Sequence, residues 1–148
     1  MEGEEYTAFC GLYCRDCIPS HRRFFAAVRE LRKMLDDLQF RHYAELKSGT
    51  HPAFRNYGAF QDALAAIAEL ECPAPCTQGG GKADCPVRQC VLSKGCRGCW
   101  ECEGRTECEP IRAMLAVHPN LLGHLDLIRS KGLTEWLKER KSHYRWQA

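Results

Sequence analysis

Apolar residues Phe24, Val28, Leu31, Leu35 and Leu38 recur at alternating spacings of four and three, which places them in one stripe along a helix. Arg22, Arg29, Arg32, Lys33, Asp36 and Asp37 occupy most of the remaining faces. The pattern predicts a helix from about residue 20 to the mid-40s, ending before Gly49, with Ser20 as its candidate N-cap. Pro52 and Gly58 bracket an interruption. The period then resumes at Phe60, Leu64, Ile67 and Leu70, through the run Ala63-Leu64-Ala65-Ala66-Ile67-Ala68. Small alanines allow this shorter second helix to approach the first, so the two stripes are expected to bury each other.

From Cys72 to Pro110 the helical period disappears. Pro73, Pro75, Pro86 and the run Gly79-Gly80-Gly81 predict loops and short turns, with few apolar residues to form a local core. Folding of this segment is expected to come from metal crosslinks or from docking against the helices. Periodicity returns at Ile111, Leu115, Leu121, Leu122, Leu125 and Ile128, then at Leu133, Trp136 and Leu137. Asn120 is a candidate cap, and Gly132 is expected to separate two C-terminal helices. Alternating strand patterns, internal repeats and long low-complexity tracts are absent from the sequence. The expected fold class is mainly α: a small helical domain with an irregular cysteine-rich metal-binding segment. One domain is expected over residues 1–148, with cysteine groups at 10–17 and 72–108 and C-terminal helices across 111–146.

Composition sharpens this picture at one point. Eleven cysteines fall among 148 residues, a number that cannot be fully paired within one chain. The acidic start Glu2-Gly3-Glu4-Glu5 has no apolar run behind it, which predicts neither a signal peptide nor a membrane span and points to the cytoplasm. A reducing compartment disfavours structural disulfides, so metal-bound thiolates are the stronger expectation. The net charge of +2 gives no general attraction to nucleic acid.

The candidate metal ligands are Cys10, Cys14, Cys17, Cys72, Cys76, Cys85, Cys90, Cys99, Cys102 and Cys108, with Cys96 ranked below them. Zinc takes four ligands in a tetrahedron, and the pairs Cys14-x-x-Cys17 and Cys99-x-x-Cys102 can each place two thiolates on one ion. Cys96-x-x-Cys99 overlaps the second pair, while Cys72/Cys76 and Cys85/Cys90 are looser pairs, so spacing alone gives no unique grouping. Two or more zinc ions are expected. The alternative cofactor is an iron–sulfur cluster, because Cys96-x-x-Cys99-x-x-Cys102 matches the first three positions of a ferredoxin-type run. The fourth position departs from it: Cys108 comes too late and is followed by Glu109 rather than proline. Cys10-x-x-x-Cys14-x-x-Cys17 could separately hold three irons of a cluster, but the short chain lacks the repeated strand–helix units of the usual catalytic barrel. Thiol redox exchange at Cys14/Cys17 or Cys99/Cys102 is a weaker reading, since so many competing ligands surround each pair.

Other chemistry is sparse. His21, His51, His118 and His143 stand apart, and His21 is the one that follows a cysteine group closely enough to complete a site. Trp100, inside the Cys99–Cys102 pair, is expected to pack rather than to react. Arg22, Arg23, Arg29, Arg32, Lys33, Lys138, Arg140, Lys141 and Arg145 could meet phosphate, with Tyr144 and Trp146 for stacking, but Asp36, Asp37, Glu135 and Glu139 dilute the field. A nucleic-acid partner is therefore not expected; an unknown protein partner is left open, and no small-molecule substrate or membrane is implied. The glycine run lacks the spacing of a phosphate loop despite Lys82, and flexibility is its expected role.

The opening Cys10-Gly11-Leu12-Tyr13-Cys14-Arg15-Asp16-Cys17-Ile18 resembles that of the bacterial and archaeal DUF3795 family, with Ile18 where proline is usual. The later order resembles it too: Cys72-Pro73-Ala74-Pro75-Cys76, Cys85-Pro86-Val87-Arg88-Gln89-Cys90, Cys99-Trp100-Glu101-Cys102 and Cys108, then the ending from Ile128 to Leu137. Cys96 is additional to that ten-cysteine pattern. The resemblance implies a cysteine-rich protein of unknown function with zinc as its expected metal, and it supplies no activity.

Overall fold

The computed structural model describes residues 3–141, Tyr144 and Trp146; His143 and Arg145 lie outside the described residues. The fold is mainly α. Among the described residues the β pairing amounts to one isolated antiparallel bridge, Thr7 with Tyr13. Two compact units are present: Met1–Ser20 with Cys72–Ala148, and His21–Glu71. The second is an excursion of the chain between the two cysteine groups, so every cysteine belongs to the first.

The helical unit contains α1 (Arg22–Asp37), α2 (Phe40–Lys47) and α3 (Tyr57–Glu69). The long helix expected to reach the mid-40s is thus two helices. Gln39 adopts the left-handed conformation (φ 50°, ψ 39°) and turns the chain between α1 and α2. That conformation disfavours a side chain by roughly 1–2 kcal/mol, which is why nothing in a residue of good helix propensity announces it. The expected stripe also divides. Val28 is buried together with Phe25, and Leu35 is half-buried, whereas Phe24, Leu31 and Leu38 stay exposed. On α3 the inward residues are Tyr57 and Leu64, with Phe60 and Leu70 left outside. Phe40 fills the remaining corner, its ring 5.4 Å from Tyr43 and Tyr57 and 5.9 Å from Phe54 between centroids.

The cysteine-bearing unit contains α4 (Pro86–Ser93), α5 (Glu109–Met114) and α6 (Leu121–Glu139). Ile111, Leu121, Leu125 and Trp136 are fully buried, as the C-terminal period predicted, and Asn120 occupies the N-cap of α6. Gly132 breaks α6 (φ 84°, ψ 168°), which turns the last helical segment and lets Trp136 enter the same core as Leu125. The Trp136 indole N–H donates to His124 Nδ1 at 2.9 Å, so its polar atom is satisfied inside the core. Tyr13 packs edge-on against Trp136, with ring centroids 6.0 Å apart, and Arg140 lies over the Tyr13 ring while pairing with Asp16.

The loop expectation for Cys72 to Pro110 needs one correction: helix α4 interrupts it. Val87, Val91 and Trp100 join the core shared with α6, in line with the expected docking against the helices. The physical reason is visible at Pro86, which sits at the first helical position, and at Val87 and Val91, which fall one turn apart on the buried face. No helix among the described residues is long and apolar enough to cross a membrane.

Candidate metal centre

The first cysteine group is built by two tight turns. Ala8 N–H donates to Leu12 C=O and Gly11 N–H to Ala8 C=O, both at 2.8 Å, which sets Cys10 at the tip of a small loop. Gly11 has φ 83°, and a Cβ there would stand 2.7 Å from Leu125 Cδ2, so a larger residue would lift this loop from α6. Next, Cys17 N–H donates to Cys14 C=O at 3.0 Å, closing a 3-10 turn over Cys14–Asp16 that carries two thiols. The Ser20 hydroxyl donates a shared bond to Cys14 C=O (2.5 Å) and Cys17 C=O (2.7 Å). Ser20 therefore fastens the cysteine turn and does not cap α1, whose N-cap is His21.

Two backbone bonds bring the cysteine groups together. Cys72 N–H donates to Pro19 C=O, and Cys99 N–H donates to Phe9 C=O, each at 2.8 Å. The second group hangs on helix ends and turns: Cys85 caps α4, Cys90 lies within it, Cys108 caps α5, and Cys99 opens a 3-10 turn over Cys99–Glu101 that ends at Cys102. As a result Cys14 lies in electrostatic range of Cys17, Cys72 and Cys76. Cys99 lies in range of Cys85, Cys90, Cys102 and Cys108. Cys10, in range of Cys76, Cys85 and Cys99, joins the two neighbourhoods. Cys96 has a different setting, its thiol 3.9 Å from the Lys94 carbonyl. None of the eleven is paired in a disulfide.

Burial pushes the Cys10 thiol up to about 12, with a backbone hydrogen bond from Leu12 acting against it. Cys99 is also raised to about 12, by burial first and by the neighbouring thiols second. Cys14 and Cys17 are raised by burial too; a backbone hydrogen bond at Cys76 opposes this for Cys14, and the Tyr144 hydroxyl opposes it for Cys17. Other groups turn positive density toward sulfur. Gly81 N–H donates to Cys72 Sγ at 2.9 Å, Arg88 Nη2 is 3.6 Å from Cys76 Sγ, and Lys94 Nζ is 3.7 Å from Cys102 Sγ. Arg88 also donates to Gly80 C=O. A Cβ on Gly80 would fall 1.6 Å from the Ala74 oxygen and 3.0 Å from Cys72 Sγ. Within the glycine run the close fit belongs to Gly80, beside a thiol, whereas Gly79 has open space around it.

Ten thiols flanked by N–H donors, a guanidinium and an ammonium suit a soft cation in kind, because such donors offset the charge that thiolates gather around a metal. In geometry they stop short: among the described residues no three Cys, His, Asp or Glu side chains converge tightly enough to hold one ion.

The remaining candidates have other surroundings. His21 is exposed on the helical unit, His51 rests 5.7 Å from the Phe54 ring, and His118 is 4.7 Å from Tyr144. Trp100 packs in the core with Gly98 against its ring, where a Cβ would come within 2.1 Å. Arg22 and Arg29 pair with Glu71, Lys33 with Asp37, Lys138 with Glu135 and Arg140 with Asp16, so much of the basic surface is locally balanced. Trp146 stacks on Tyr144 at 4.4 Å. Sequence reasoning missed Arg88, Lys94 and Gly81 as neighbours of sulfur. The helix signal at Pro86, Val87 and Val91 would have placed Arg88 beside the cysteines, whereas the Tyr144–Cys17 bond has no local signal because it joins the two ends of the chain.

A family model described as a protein of unknown function, DUF3795, matches residues 6–113. No curated protein matches the chain, and no solved structure does.

Proposed function

The chain belongs to the DUF3795 family, whose function is unknown, and we propose that it is a thiolate metal-binding protein with zinc as its ion and a structural or partner-organising role. The observation that supports this most is the interleaving of the two cysteine groups, which seats Cys14 and Cys17 beside Cys72 and Cys76 across the whole helical excursion. These four, and Cys90, Cys99, Cys102 and Cys108, are the residues that would hold ions, with Cys10 and Cys85 between the sets. A closed zinc site supplies crosslinks and has no redox cycle. Gly81 N–H, Arg88, Lys94 and the Tyr144 hydroxyl would balance thiolate charge, and Ser20 would keep the Cys14–Cys17 turn in shape. The reading places the protein in the cytoplasm, where thiols stay reduced.

The continuity of the thiols through half-buried Cys10 and buried Cys99 favours one second reading, an iron–sulfur protein in electron transfer or redox sensing. Anaerobic native purification followed by metal analysis and visible absorption separates the two. Stoichiometric zinc without a chromophore is the expected result. Iron, sulfide and a band that bleaches on reduction would replace the first reading with the second, and a folded protein with neither metal and eleven alkylatable thiols would remove both.

A further inference from the structure

Helix α1 carries a second apolar face beside its buried one. Phe24, Ala27, Leu31, Met34 and Leu38 follow spacings of three and four, the seam of a helix that pairs with another helix. The seam is open to solvent: Phe24 is 44% exposed, Leu31 38%, Met34 46% and Leu38, at the C-cap, 72%. The residues that α1 buries within its own unit, Phe25 and Val28, border this strip along one edge.

The charges of α1 run against its own dipole. A helix favours acidic groups in its first turn and basic groups in its last, each worth about 0.3–1 kcal/mol at the surface. Helix α1 has neither; it begins Arg22-Arg23 and ends Asp36-Asp37. This polarity weakens the isolated helix, and the pairs Arg22–Glu71 and Lys33–Asp37 offset it only in part. It is, however, complementary to the same helix reversed. Arg23 and Asp37 flank the seam on one side, so a second α1 laid antiparallel about Leu31 brings the basic end of each copy to the acidic end of the other.

We propose that this face binds a second copy of the chain, as an antiparallel α1–α1 pair across a two-fold axis near Leu31. A single helix of 16 residues is about 24 Å long and presents a narrow strip, well below the roughly 800 Å² a side of a standard stable interface. Glu30 lies nearest the axis and meets its own copy there, which also restrains affinity. The pair is consequently weak and reversible, and it does not depend on the metal reading.

Sedimentation equilibrium of the full chain, reduced and as purified, over a concentration range from about 1 to several hundred μM tests this. A monomer–dimer equilibrium is expected. Leu31→Glu should weaken it by about tenfold or more, equivalent to about 1.4 kcal/mol. Arg23→Glu and Asp37→Arg should each weaken it several-fold; both improve the match to the helix dipole, while Asp37→Arg also removes the pair with Lys33. The double swap Arg23→Glu/Asp37→Arg should restore association, because each end again meets its opposite. A monomer throughout the range overturns the proposal, including the case where Leu31→Glu lowers thermal stability and so marks the face as covered by the chain itself. A dimer indifferent to Leu31→Glu, or a double swap that stays as weak as its components, overturns it equally.

Discussion

The two units of this chain spend their apolar residues differently. The cysteine-bearing unit sinks Trp136, Ile111, Leu121 and Leu125 completely and ties its ends with Arg140 on Asp16 and Thr134 on Glu4. The helical unit fully buries only Phe25 and Ala44 among its described residues. It leaves Phe24, Leu31, Met34, Leu38, Tyr43, Leu46, Phe60 and Leu70 facing solvent. A segment of about 50 residues buries a smaller fraction of its apolar surface than a larger one does. The unit expected to need metals as a substitute for a core thus has the stronger core, and the one without cysteines has the exposed faces. The proposed crosslinking and the proposed pairing would answer different shortages: irregular cysteine-bearing turns in one unit, uncovered helix faces in the other.

Metal removal should produce the largest split between the units. Hydrogen exchange before and after anaerobic chelation is expected to show lost protection across 72–85 and 94–108, less loss in α4, and none across 21–71. Unchanged protection in both loops would leave the thiols without a structural role. Trp136→Ala should cost about 3–5 kcal/mol, since it empties the centre of the cysteine-bearing core. Protease mapping should then cut near the cysteine loops while α1–α3 stay resistant, and simultaneous cutting in both units would erase the distinction between them.

A smaller effect concerns pH in the metal-free, reduced protein. Cys10 and Cys99 titrate near 12 when folded, against 9.0 for an unshifted thiol. Below pH 9 both states keep these protons and stability is at its full value; above it the unfolded chain loses them first, so stability falls as pH rises from 9 toward 12. Denaturant unfolding at pH 7.5 and 10.5 reads this, and a flat or rising profile would mean the two thiols are not desolvated. The cysteine-free helical unit provides the internal control. The smallest effect belongs to Gln39→Gly, which removes left-handed strain at the α1–α2 turn and should stabilise the helical unit by no more than about 1 kcal/mol. A loss of helical content would show that the Gln39 side chain, not its backbone, sets the turn.

The patterns that were legible in the chain are those a short window contains. The period from Ile111 to Trp136 marks the core helices, Gly132 marks their break, and the alanine-rich run marks α3. Gln39 escaped notice because left-handed backbone in a helix-compatible residue leaves no trace in composition. Helix α4 is hidden among the prolines and glycines of its segment because Pro86 stands at a helix start and not in a turn. The cysteines themselves declared a thiol site and left its grouping open.

By itself, then, the sequence determined the helical class, the seat of the C-terminal core and the identity of the candidate donors, because periodicity and ligand chemistry act over a few residues. Tertiary structure alone decided that Cys14 and Cys17 stand with Cys72 and Cys76, that Arg88, Lys94, Gly81 and Tyr144 attend the sulfurs, and that the α1 stripe divides into a buried and an open face. Those outcomes depend on which distant segments pack together, and pairwise spacing along a chain does not contain that information.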